Sequence, residues 1–231
     1  MYLQAFVYAL SGGMLPALLW LWFWRKEDRA RPEPRGMIML VFLAGMVAVP
    51  LVLPVEQWIH STFGFSAISV VLWAAAEEIA KYAAAYTTAL RSRFMDEPID
   101  AVLYLITAAL GFAALENAFF LLKPLSDGNI LQGILTGNLR FIGATLLHTV
   151  SSATIGGAIA LSFYRHEKIK HEYLSTGIVL AIVLHALFNF LIIQSVGGSL
   201  FFVFGFIWLI VVALLLFFER VKKIKSLSSA Q

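Results

Sequence analysis

Residues 66–90 read SAISVVLWAAAEEIAKYAAAYTTAL. Apart from Glu77, Glu78 and Lys81, the stretch is aliphatic and aromatic with a few hydroxyls. At roughly 1.5 Å rise per residue, a helix of this length covers the roughly 30 Å core of a bilayer. Each ionisable group near the middle of such a helix costs roughly 2.5–3.5 kcal/mol on insertion scales. The three groups must therefore face a protein interior or a water pocket, which makes them functional-site candidates.

The rest of the chain is in keeping with this stretch. It is 60% hydrophobic and 13% charged, with mean hydropathy +0.83, against about 45–50% and about 25% in soluble domains. Six further apolar segments are long enough to cross, and the seven spans run roughly 3–24, 37–54, 66–90, 99–122, 141–164, 174–194 and 200–218. The predicted fold is all-α, a single polytopic domain over residues 1–231. The second span ends at Pro50 and Pro54 and is expected to tilt or break there. Residues 129–140 either extend the fifth span outward or lie along the interface. The first segment has no basic leader and no convincing cleavage site, so it reads as a retained span.

Charge then orients the chain. All but three of the 17 Lys and Arg fall at 25–36, 91–98, 165–173 and in the tail from Glu219; the exceptions are Lys81, Lys123 and Arg140. The positive-inside rule places those loops in the cytoplasm, with the N-terminus outside and the C-terminus inside. Trp20, Trp22 and Trp24 read as an inner interfacial anchor, and Arg220 to Lys225 as a membrane-surface anchor. The partners implied are the lipid bilayer and no nucleic acid. There is no Cys, so disulfides and thiolate metal ligands are excluded.

Inside the spans lie Glu77, Glu78, Lys81, Glu116, Asn117, His148, His185 and Asn189, on spans three to six. Counted from the outer ends at roughly 1.5 Å per residue, Glu77, Glu116, His148 and His185 share a level within one or two turns, in the outer half of the bilayer. Each has a structural explanation taken singly: a Glu–Lys pair at i,i+3 or i,i+4, a protonated carboxyl, a packed His, an interhelical Asn. One Lys neutralises only one Glu, however, and adjacent Glu side chains point roughly 100° apart. The functional reading is a metal-activated water. Zinc accepts His nitrogen and carboxylate oxygen, and catalytic sites leave a fourth position for water. His148, His185 and Glu116 make such a set. Glu77 or Glu78 would then be the general base, Asn189 an oxyanion donor or ligand orienter, and Lys81 the counter-ion of the other Glu.

Other signals fail. His166-Glu167-Lys168-Ile169-Lys170-His171 is one residue longer than H-E-x-x-H, so its two His fall on different helix faces. Asp100 lacks an intramembrane Asp partner. Ser151 and Ser152 lie one turn from His148 but fit a packed interface of small residues better than a nucleophile.

Glu77-Glu78-x-x-Lys81, Phe112-x-x-x-Glu116-Asn117, His148 and His185-x-x-x-Asn189 occur in this order on successive spans. The pattern resembles the PrsW family of intramembrane metalloproteases, with more distant likeness to type II CAAX prenyl proteases and to the Aph-1 subunit of gamma-secretase. The resemblance covers roughly 66–194 and implies a catalytic core there. It implies a prokaryotic cytoplasmic-membrane endopeptidase acting on a membrane-anchored protein, an anti-sigma factor in the PrsW branch. It also implies that Glu77 activates water, as the first Glu of the pair does in the CAAX branch. That branch has His where this chain has Glu116. Two other classes compete: a non-catalytic Aph-1-like scaffold, and a proton- or cation-coupled carrier.

Overall fold

The computed structural model describes residues 2–26, 31–194 and 200–224. Among the described residues it contains eight α-helices and no strand. In order they are α1 (Tyr2–Trp24), α2 (Arg35–Phe63), α3 (Ala67–Ala85), α4 (Pro98–Ser126), α5 (Ile130–Leu139), α6 (Thr145–Ser162), α7 (Glu167–Gln194) and α8 (Leu200–Val221). A π-turn over Tyr86–Leu90 continues α3, and another over Arg140–Ala144 joins α5 to α6. The α5 segment Ile130–Leu139 thus leads through that turn into α6 as helix. Five helices, α1, α2, α4, α7 and α8, are long and apolar enough to cross a membrane. The remaining long ones, α3 and α6, carry Glu77, Glu78, Lys81 and His148, while Glu116 and Asn117 lie on α4 and His185 and Asn189 on α7.

The helix ends follow from local chemistry. Ser66 and Ser69 form a capping box that starts α3. Pro98 occupies the first turn of α4, where its missing N–H is harmless. Asp100 accepts from the backbone N–H groups of Asp96 and Glu97, so this carboxylate caps α4. Contrary to the expected break, α2 runs through Pro50 and Pro54 to Phe63. Neighbouring helices sustain such prolines in membrane helices. The stop comes at Gly64, whose φ of +62° is left-handed and whose N–H closes onto His60. The extra turns bring Glu56, Gln57 and His60 above the core.

α4 is the central column, packed by α1, α2, α3 and α6. Glycines permit these approaches. A Cβ at Gly111 would stand 2.0 Å from the carbonyl oxygen of Phe42, and one at Gly45 would stand 2.1 Å from that of Ala108, so α2 and α4 touch backbone to backbone. The small-residue stripe of α6 serves the same end. Near the start of α4, Tyr104 hydrogen-bonds Glu33 and Arg31 pairs with Glu97 at 3.0 Å. Trp24 departs from the anchor reading: it is fully buried and stacked on Phe218 at 5.4 Å, whereas Trp22 is exposed under the Lys26 ammonium. The tail expectation at Lys225 lies outside the described residues.

Candidate active site

Helix periodicity sets the two adjacent glutamates to different tasks. Glu78 is fully buried and its carboxylate is saturated. Oε1 accepts from Lys81 Nζ at 2.6 Å and faces His185 Nδ1 at 2.7 Å, while Oε2 accepts from Ser152 Oγ at 3.0 Å. This carboxylate binds α3 to α6 and α7. Ser152 therefore turns its hydroxyl to Glu78. Glu77 is 6% exposed and points into a cleft. No N–H or hydroxyl donates to its Oε2. That oxygen lies 3.6 Å from His148 Nδ1, 3.6 Å from His185 Nε2 and 3.8 Å from Lys81 Nζ, all beyond ordinary hydrogen-bond length.

The histidines are held from behind. His185 gives Nδ1 to Glu78, which leaves Nε2 facing the cleft. His148 sets Nε2 against Glu116 Oε2 at 3.1 Å, and its Nδ1 accepts from Lys81 at 2.9 Å. The two rings meet edge to face at 5.2 Å, and Phe112 packs on His148. Glu116 also pairs with Arg140, whose Nε donates to Asn117 Oδ1; Asn117 in turn donates to Thr145 Oγ1 at 3.0 Å. Arg140 lies over the Phe120 ring at 3.8 Å.

Four helix segments thus bring the sequence candidates into one cluster. One atom each from Glu77, His148 and His185 lie within 4.8 Å of one another, so these three could hold a metal ion. The donor types agree, two imidazole nitrogens and a buried carboxylate oxygen that lacks a donor, and an ion at His148 Nδ1 would take the place of the Lys81 hydrogen bond there. Glu116 stands behind His148 on its other ring nitrogen, the position of a ligand-orienting carboxylate. The three groups within reach of one ion thus include Glu77 where the sequence reading set Glu116 beside His148 and His185. Asn189 lines the same cleft, one turn from His185. His166 and His171 are exposed at the start of α7.

The cleft has a volume of about 520 Å³. Its walls also include Glu56, Gln57 and His60 of α2, Trp73 of α3 and Arg140. Sequence reasoning missed Glu56 because it lay beyond a span thought to end at Pro54. It counted Arg140 as a loop cation; the available signal was that Arg140 lies at the mouth of the span carrying His148.

Comparison with known proteins gives matches over most of the chain. The family model described as PrsW family intramembrane metalloprotease matches residues 33–217. Protease PrsW of Geobacillus kaustophilus is 26% identical over 192 residues, covering 80% of each chain. Protease PrsW of Oceanobacillus iheyensis is 25% identical, covering 79% of this chain and 82% of the relative. Protease PrsW of Halalkalibacterium halodurans is 25% identical over 227 residues, covering 94% and 95%. No solved structure matches the chain.

Proposed function

The chain belongs to the PrsW family of intramembrane metalloproteases, and from that premise we propose that Glu77 is its water-activating carboxylate, working between His148 and His185. The enzyme is an integral membrane protease, and its substrate is a protein. In this reading the substrate is membrane-anchored, of the anti-sigma-factor kind, and is cut near the outer side of the bilayer. α3 and the α5–α6 unit cross with the five apolar helices, giving seven crossings with the N-terminus outside. The loop charges support that orientation.

The observation that carries the reading is the buried Glu77 oxygen, without a donor, facing two imidazole nitrogens at 3.6 Å each inside a cleft. Zinc would be held there by His148, His185 and one oxygen of Glu77, whose second oxygen would be the one to take a proton, and would supply Lewis acidity and a nucleophilic water at neutral pH. The chain's own groups do the following. Glu77 takes a proton as the water oxygen bonds to the scissile carbonyl carbon. The electron pair of that carbonyl moves to its oxygen, which the amide of Asn189, a residue lining the same cleft, would meet. The C–N bond then breaks, and the leaving amine receives the proton from Glu77. Glu78 holds Lys81 and His185 in place, and Arg140 holds Glu116 behind His148.

The test is a panel of single-span reporter proteins with fluorophore and quencher across the outer juxtamembrane segment, reconstituted with wild type or Glu77→Gln. Wild-type cleavage that is lost in Glu77→Gln, with the fold intact, supports the assignment. A variant that keeps more than about a tenth of the rate removes Glu77 from the role, since a general base contributes roughly 10²–10⁴-fold. Elemental analysis of wild type beside His185→Ala tests the zinc site.

A further inference from the structure

We infer that Ser152 of α6 is a positioning residue: its hydroxyl fixes the plane of the Glu78 carboxylate and, through it, the ring of His185 that faces Glu77. The inference rests on the proposed roles of Glu77 and His185, and it adds a fully buried residue behind the cleft wall. Glu78 carries unequal loads on its two oxygens. Oε1 accepts from Lys81 Nζ at 2.6 Å and faces His185 Nδ1 at 2.7 Å, whereas Oε2 accepts from Ser152 Oγ at 3.0 Å. The last torsion of a glutamate is broad and roughly two-fold, so the carboxylate turns easily about its Cγ–Cδ bond. Any such turn carries Oε1 off His185. Lys81 does not prevent it, because an ammonium with three donors on a flexible stem follows the oxygen. Ser152 meets the other oxygen from a different helix, on a short side chain, and blocks the turn.

Three features separate this bond from ordinary packing of small residues. Hydroxyls inside helices commonly turn back onto a carbonyl one turn earlier, and those of Thr149, Thr154 and Ser162 on α6 do so. The Ser152 hydroxyl instead crosses to α3. The neighbouring Ser151 is equally buried, yet its Oγ has no hydrogen-bond partner among the described residues, so the packing of α6 does not itself call for a hydroxyl. Finally, α6 holds Ser152 at a fixed height. A Cβ at Gly156, one turn later, would stand 2.6 Å from Val102 Cα and 2.8 Å from the Ala101 carbonyl oxygen, so α6 is pressed against the α4 backbone there. His148 lies one turn before Ser152 on the same face of α6. One helix thus carries the first imidazole of the site and the hydroxyl that sets the second, and the two rings meet edge to face at 5.2 Å.

Ser152→Ala removes the hydroxyl, Ser152→Thr keeps it, and Ser151→Ala is a matched control on the same helix. Detergent-purified wild type and the three variants are assayed on a reporter whose cleavage depends on Glu77, and are titrated with cobalt(II) followed by its visible absorption. The expected result for Ser152→Ala is a fall in kcat of about tenfold with little change in KM, and cobalt affinity weakened in parallel. Ser152→Thr recovers most of both, and Ser151→Ala keeps wild-type values. Wild-type kcat and cobalt affinity in Ser152→Ala would overturn the inference. So would a Thr variant as impaired as Ala, or a Ser151→Ala protein as impaired as Ser152→Ala, since packing rather than the hydrogen bond would then be responsible. If Ser152→Ala does not fold, Ser152→Val takes its place against Ser152→Thr, a pair of similar size that differs in the hydroxyl. Failure of the underlying reading looks different: Glu77→Gln retains cleavage, or wild type neither cleaves nor binds cobalt, and the positioning role then falls with it.

Discussion

The two adjacent glutamates should fail in opposite ways when each loses its charge. Glu78→Gln strikes a carboxylate that accepts from Lys81 at 2.6 Å and Ser152 at 3.0 Å and faces His185 at 2.7 Å, all buried. Removing one member of a buried ion pair costs about 3–5 kcal/mol, because the partner charge stays behind without compensation. Here the partner is Lys81, which is 0% exposed. Glu77→Gln removes a charge to which no N–H or hydroxyl donates at Oε2 and whose nearest cations and rings stand at 3.6–3.8 Å. Stability should change by less than about 1 kcal/mol, or rise, since a poorly solvated carboxylate becomes neutral. Activity should fall by roughly 10²–10⁴-fold, the range of a general base, which is about 2.7–5.4 kcal/mol of barrier. The assay pairs unfolding of purified protein in mixed micelles of rising sodium dodecyl sulfate with initial cleavage rates in the native micelle. Glu77→Gln destabilised as much as Glu78→Gln, or Glu78→Gln as stable as wild type, would refute this division of labour.

Arg140→Ala leaves Glu116 without its guanidinium partner and should lower metal affinity or kcat by about 10–100-fold; wild-type values would show that Arg140 is a bystander. A chelator should abolish cleavage and one equivalent of zinc per chain should restore it, whereas activity that persists after metal is shown to be absent would favour a metal-free mechanism. Gly111→Ala places a Cβ 2.0 Å from the Phe42 carbonyl oxygen and should destabilise the α2–α4 crossing by about 1–3 kcal/mol in the same micelle titration. His166→Ala with His171→Ala should leave zinc content and cleavage unchanged, because both rings are exposed away from the cleft.

The sequence by itself determined that this chain lives in a bilayer, because hydrocarbon tolerates few polar side chains and leaves a plain record of which segments enter it. For the same reason it disclosed most of the site: a charge inside a span is costly enough to stand out in one sequence, and Glu77, Glu78, Lys81, Glu116, His148 and His185 do converge. Hydropathy is blind to what lies near span ends, where charges are cheap. Glu56 and Arg140 were missed on that account, and only the path of α2 through two prolines and the π-turn before α6 delivers them to the cleft. Nor could composition tell Glu77 from Glu78. One residue of helical rotation turns Glu78 into the protein, where Lys81, Ser152 and His185 surround it, and turns Glu77 toward the two histidines. Which donor atoms meet at one point depends on how four helices rotate against one another, and that rotation is set by close backbone contacts such as Gly45 with Ala108, a property of the packed structure that no span carries alone.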